Sequence, residues 1–129
     1  MEVKIDTREK FHVITIKEPE LAANMTAELD NSLLPLLQRE VKNVVLNLED
    51  IQNMDDAAAD WLVKTQQNFY EQNASFVVCC LQPTVENWLD KKELLEVMNV
   101  TPTESEAWDI VQMEEIEREF LDGEGGGGL

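Results

Sequence analysis

Glycine is missing from residues 1–122: all five glycines, Gly123 and Gly125 to Gly128, fall in the last seven positions. A phosphate-cradling Gly-x-Gly-x-x-Gly turn or a P-loop is therefore excluded from the body of the chain, and the closing GEGGGGL reads as a flexible tail. Cysteine is nearly absent. Cys79 and Cys80 are the only two and they adjoin, so neither a loop-closing disulfide nor a Cys-x-x-Cys motif is available. A single histidine, His12, is too few for a His-rich metal site or for a histidine-centred catalytic apparatus. Basic residues are scarce: ten Lys and Arg stand against 27 Asp and Glu, a formal net charge of −17 over 129 residues. Nucleic acid and anionic lipid both attract basic surfaces, so neither is an expected partner. No apolar run approaches the roughly 20 residues of a membrane helix, and the opening MEVKIDTREKF carries no apolar block of the secretory kind. The expectation is an acidic, cytoplasmic domain with no cofactor and no metal.

What is present fits one domain. Hydrophobic residues make up 43% of the chain, enough for a body of this length to bury about two thirds of its unfolded surface. Residues 114–129 carry six acids against Arg118 alone, a net −5, so −12 remains on residues 1–113 and the body is acidic in its own right. Val3 and Ile5 alternate with polar neighbours, and after a polar turn FHVITI at 11–16 follows, which predicts an antiparallel hairpin with His12 as an ordinary strand residue. A helix opens near Thr26 with Leu29, Leu33, Leu36 and Leu37 at helical spacing, and Pro35 should kink or divide it. VVLNL (44–48) and FVVCCL (76–81) read as buried strands. Between them a helix is expected from about Ala57 to Glu71, its apolar face made by Ala58, Leu62, Thr65 and Phe69. Pro83 opens a further helix through Val85, Trp88 and Leu89. A brief extended piece near Val100 and Thr101 precedes a last helix, which Thr103 and Glu106 open as a capping box. The order ββαβαβα(β)α predicts an α/β domain with right-handed crossovers and parallel central strands.

The densest constellation lies between Glu49 and Asp60, where five acids occur in twelve residues at a strand end running into a helix start. Functional sites gather at such strand ends. Three carboxylates there would suit Mg²⁺ or a phosphoryl group, but an aspartate at a helix start more simply caps free N–H groups and complements the helix dipole. Capping accounts for Asp56 in this way. The companions of a phospho-acceptor pocket are missing, since Lys91 and Lys92 lie in a helical context. Cys79 and Cys80, on one strand, should face opposite ways as small core residues. Trp61, Trp88 and Trp108 are read as packing residues. No Ser–His–acid arrangement can be built, and no catalytic residue is assigned.

The element order and the segment VVLNLEDIQNMDDAAADWL at 44–62 resemble the STAS domain, the fold of bacterial anti-sigma factor antagonists. Members show an apolar strand, a short turn ending in an apolar residue, and Asp-Ser-Ser-Gly-Leu opening the next helix. Here Ile51 and Met54 take the turn's apolar positions and Asp55 matches the family aspartate. FVVCCL and VTPTESEAWDIV (100–111) look like the closing β–α unit, so the likeness runs over about residues 1–113. It implies a mixed sheet of four or five strands with an N-terminal antiparallel hairpin and about four helices mainly on one face. The domain is expected over 1–121, with a flexible acidic, glycine-rich tail over 122–129.

The signature itself is altered. Asp56 and Ala57 stand where the family has its two serines, Ala57 at the phosphorylated one, and Ala58 and Asp60 replace glycines. The family's switch is phosphorylation of that serine by a partner kinase, which abolishes binding to the kinase or anti-sigma factor. Alanine has no hydroxyl, so the resemblance implies a non-catalytic interaction module whose usual switch is missing or relocated. Thr26, Ser32, Thr65, Ser75 and Ser105 are the other acceptors considered. The implied partner surface is Asp55, Asp56, Ala57, Ala58 and Ala59, and the implied partner is an anti-sigma factor, a serine-kinase-like protein or another regulator. Two alternatives stay open at this point: a STAS-like domain sensing a small molecule or nucleotide, and an accessory subunit of a transport system. Oligomeric state is left open.

Overall fold

The N-terminal hairpin forms as its alternation predicts. In the computed structural model β1 (Val3–Thr7) and β2 (Phe11–Ile16) pair antiparallel from Val3↔Ile16 to Thr7↔His12. The structure describes the backbone of residues 1–126 and side chains up to residue 121. The tail expected over 122–129 therefore has its side chains outside the described residues, as it has the backbone of 127–129.

After β2 come a two-residue strand β3 (Glu20–Leu21), helix α1 (Thr26–Leu33) and a 3₁₀ turn over Leu34–Gln38, so Pro35 divides the helix as its missing N–H requires. Then follow β4 (Asn43–Asn47), a second short strand β5 (Asn53–Met54), α2 (Asp56–Glu71), β6 (Phe76–Cys79), α3 (Pro83–Lys91), β7 (Val100–Thr101) and α4 (Glu104–Gly126). The main sheet has five strands in the order β1-β2-β4-β6-β7, with every pair beyond the hairpin parallel. Thr103 Oγ1 accepts the Glu106 N–H at 3.2 Å and bonds its carboxylate at 3.3 Å, closing the expected capping box.

Alternation along β2, β4 and β6 divides the core. Ile14, Leu46 and Val78 face α1, α2 and α3, meeting Leu29, Leu33, Leu62, Phe69 and Leu89, all fully buried. Each such side chain stabilises the fold by about 1.5–3 kcal/mol through burial. Val13, Val45, Val77 and Cys79 face the other way, against Ala107 and Val111 of α4. Three helices thus cover one face and one the other. That explains why β4 and β6 read as continuous apolar runs. Among the described residues no helix is long and apolar enough to cross a membrane.

Two expectations need correction here. The strand read as 76–81 ends at Cys79, because Cys80 takes a left-handed backbone with φ 64°. Alternation stops where the strand stops, so the thiols do not point apart: their sulfurs lie 3.4 Å from each other, Cys79 buried and Cys80 half-buried. The pair β3–β5, parallel through Glu20↔Asn53 and Leu21↔Met54, was not anticipated. His12 is an ordinary strand residue with both ring nitrogens bonded. The Val41 carbonyl, 2.9 Å from Nε2, can only accept, so Nε2 carries the proton, and in the neutral ring Nδ1 accepts from the Thr7 hydroxyl at 2.9 Å.

Candidate functional site

The start of α2 stands at the carboxyl end of β4 on a turn that is tied down from outside. The Gln52 and Asn53 N–H groups both donate to the Pro19 carbonyl, and the Asp55 N–H donates to that of Leu21. Ile51 is fully buried beneath the turn. The short β3–β5 pair is therefore what fixes where α2 begins.

Asp55 is the N-cap, with extended backbone (φ −96°, ψ 170°). Its Oδ1 accepts the Ala58 N–H at 2.8 Å and its Oδ2 accepts the Ala23 N–H at 3.0 Å, so one carboxylate joins the helix start to the segment before α1. These two bonds, that from Ala23 first, hold its pKa below the ordinary 3.8, against a smaller opposing effect of burial. Capping therefore belongs to Asp55 and not, as expected, to Asp56. The Asp56 carboxylate points outward to Lys92 Nζ at 2.5 Å. Lys92, which follows α3 as its C-cap, also lies 4.9 Å from the centre of the Trp88 ring. Asp56, Lys92 and Trp88 thus link the start of α2 to the end of α3.

Ala57 is exposed, its methyl directed to solvent, while Ala58 and Ala59 are completely buried and pack into the core. Of the five residues expected to form a partner surface, three reach solvent: Asp55, Asp56 and Ala57. The small side chains at 58 and 59 let α2 lie close on the sheet. The wider acidic run does not converge. Asp50 goes to Lys17 at 3.6 Å, Asp55 to backbone N–H groups and Asp56 to Lys92. Among the described residues no three His, Cys, Asp or Glu side chains group as metal ligands would. Of the other hydroxyls, Thr65 and Ser75 are buried, and Thr26 and Ser32 are half-buried with their hydroxyls donating to the carbonyls of Ala23 and Glu28. Ser105 is exposed on the first turn of α4.

Lys92 and Trp88 were missed as members of this site. Nothing local marks them, because their link to Asp56 runs between helices that β6 separates in sequence. Trp61, by contrast, is the packing residue expected, its indole N–H donating to Asp30 at 2.7 Å.

Residues 2–107 match the family model described as STAS domain. Among solved structures, an anti-sigma factor antagonist from Mycobacterium paratuberculosis aligns at 14% identity with a TM-score of 0.73, over 86% of this chain and 93% of that one. An anti-sigma-factor antagonist (STAS) domain protein from Planctomyces limnophilus aligns at 18% identity and TM-score 0.72, over 85% and 97%. The Bacillus cell fate determinant SpoIIAA in its phosphorylated form aligns at 18% identity and TM-score 0.62, over 85% and 99%. At these identities the likeness is one of fold.

Proposed function

The chain belongs to the STAS domain family, and from that premise we propose that it is a non-catalytic regulatory module that docks a protein partner on the start of α2 and stays competent to bind. The observation that carries this reading is the exposed methyl of Ala57 at the start of α2, the residue that the resemblance sets at the family's phosphorylated serine. A phosphate there would add about 1.5 to 2 negative charges and three acceptor oxygens. Alanine offers no oxygen to receive it.

The neighbours support the same reading. Asp55 is committed to two backbone N–H groups, and Asp56 faces the Lys92 ammonium. The paired aspartates therefore present less free negative charge than the sequence suggests, and Asp56 is a poor imitation of a permanent phosphate. It carries one charge on a short arm, and its side chain projects about 100° around the helix from that of Ala57. With −12 on residues 1–113, the partner presents a basic surface, and its association slows as salt screens the attraction.

The test is capture by the full chain, immobilised, from lysate of its own cells, with the bait beforehand incubated in that lysate with Mg-ATP or treated with a phosphatase. Equal recovery of the same partner after both treatments is expected. Recovery that falls after Mg-ATP, with phosphate found on Ser105 or another hydroxyl, would show that the switch has moved rather than vanished.

A further inference from the structure

The second half of α4 is built inside out. Surface helices turn their apolar stripe to the domain and their polar residues to water. Up to Val111 this one obeys, with Ala107 and Val111 buried against the sheet. Beyond it, the face towards the domain is polar. Glu114 accepts from the Ser75 hydroxyl at 2.6 Å and from Asn99 Nδ2 at 3.3 Å, and Glu115 accepts from Asn43 Nδ2 at 2.7 Å. Arg118 donates to Asn43 Oδ1 and Ser75 Oγ, each at 3.3 Å. The outward face of the same turns carries Met113, Ile116 and Phe120, exposed to 59%, 66% and 62%. Val111, Glu114 and Arg118 repeat at i, i+3, i+7, and so do Met113, Ile116 and Phe120. The two stripes are offset by two residues, about 200° around the axis. The inner network holds the helix in place without using its apolar side chains, which leaves those free for another surface.

We propose that this stripe is a second docking surface, and that its occupant is an amphipathic helix from another protein with basic residues flanking its apolar face. Charge selects that occupant. The charged side chains that α4 itself sets beside the stripe on its outer face, Asp109, Glu117 and Glu119, are acidic and exposed, and Arg118 is turned inward. The one base that lines a hollow with Ile116, Lys10 of the hairpin turn, faces the Glu115 carboxylate at 4.0 Å. A second copy of this chain would bring acid against acid, whereas Lys or Arg flanks meet opposite charge, and the spacing is that of helix-in-groove anchors. The surface lies across α4, behind the sheet, away from the start of α2. The domain therefore has two separable contacts, one switchable in the family at α2 and one fixed on α4.

The test uses the full chain and a labelled helical peptide of leucine and lysine alone, its leucines on one face, beside a control of the same composition with the leucines scattered. Fluorescence anisotropy should give at least about tenfold tighter binding for the one-faced peptide. Ile116→Ser with Phe120→Ser should erase that preference with the charge unchanged. Tyr70→Ser, which removes an exposed aromatic elsewhere, and Ala57→Glu should both keep it, so the α4 surface and the α2 reading fail separately. Met113→Ser alone should lower the preference in the same direction, which serves if the double variant is unfolded by circular dichroism. Equal binding of both peptides by the wild type would overturn the proposal, as would a preference that survives the double substitution. A concentration-dependent dimer, seen by sedimentation and abolished by the same substitutions, would overturn it by naming a second copy as the occupant.

Discussion

Lys92 holds its ammonium 2.5 Å from the Asp56 carboxylate, so the acid that the resemblance sets at the family's first serine is met by a base from the end of α3. Both side chains are substantially exposed, and exposed pairs of this kind contribute about 0.2–1 kcal/mol. A double-mutant cycle of Asp56→Asn and Lys92→Gln in urea should return a coupling in that range, shrinking as salt is raised. Zero coupling at low salt would remove the compensation that makes Asp56 harmless.

Asp55 ties two segments together and should be visible through pH. Its folded pKa lies below the ordinary 3.8, so its stabilising effect is complete above that value and fades as pH falls through the depressed one. Asp55→Ala should therefore unfold at lower urea than wild type at pH 7, and the gap should narrow below pH 3.8. A gap that stays constant down to strongly acid pH would mean that the carboxylate charge has no part in the cap.

Asn43 anchors the inner network of α4 while its Oδ1 accepts the buried Ser75 N–H at 2.7 Å. Asn43→Ala leaves that donor unsatisfied, at a cost of about 1–3 kcal/mol. Hydrogen exchange in the second half of α4 should quicken, while α2 and α3 keep their protection. A loss below about 0.5 kcal/mol, the range of ordinary surface changes, would show that water replaces the side chain.

The vicinal thiols predict an alkaline effect. Burial foremost, then the Cys80 thiol and nearby Glu104 and Glu49, push the Cys79 thiol far above the ordinary 9.0. Burial raises Cys80 as well. A group kept neutral by folding supports the native state below its unfolded pKa and loses that support as pH rises past it. Wild type should lose stability above pH 9.0 more steeply than Cys79→Ala. Both thiols should react slowly with a maleimide at pH 8 until urea unfolds the chain. Fast labelling of the folded protein would contradict the burial.

Much of the architecture was legible in the chain because its elements carry periodicity. The alternation at Val3 and Ile5, the apolar runs at 44–48 and 76–81, and the spacing of Leu62, Thr65 and Phe69 each report how a segment meets the core, though the second run overshoots its strand by two residues. The features that position the site carry none. Two-residue strands such as Glu20–Leu21 and Asn53–Met54 have no period to read, yet they set where α2 begins. Nothing near Cys80 announced a left-handed backbone, since that conformation is chosen by the turn into α3 and not by the residue. Asp55 was legible as a helix-start acid. Its bond to Ala23 and the reach of Lys92 to Asp56 were not, because both depend on how distant segments pack. Ala58, read both as part of the apolar face and as part of the partner surface, and Ala59 are buried beside the exposed Ala57, because successive residues of a helix project about 100° apart.

The central claim is that the start of α2, with Ala57 in place of the phosphorylated serine, is a constitutive docking surface. The most direct measurement is quantitative capture from the lysate of its own cells by wild type, Ala57→Glu and Asp56→Asn, each first shown folded by circular dichroism. The account predicts that Ala57→Glu, which restores negative charge at the family's switch position, recovers about tenfold less of the partner, while Asp56→Asn recovers nearly as much as wild type. Should Ala57→Glu capture as well as wild type while Asp56→Asn gains partners that wild type lacks, the account is contradicted, and the natural chain is the locked-off form.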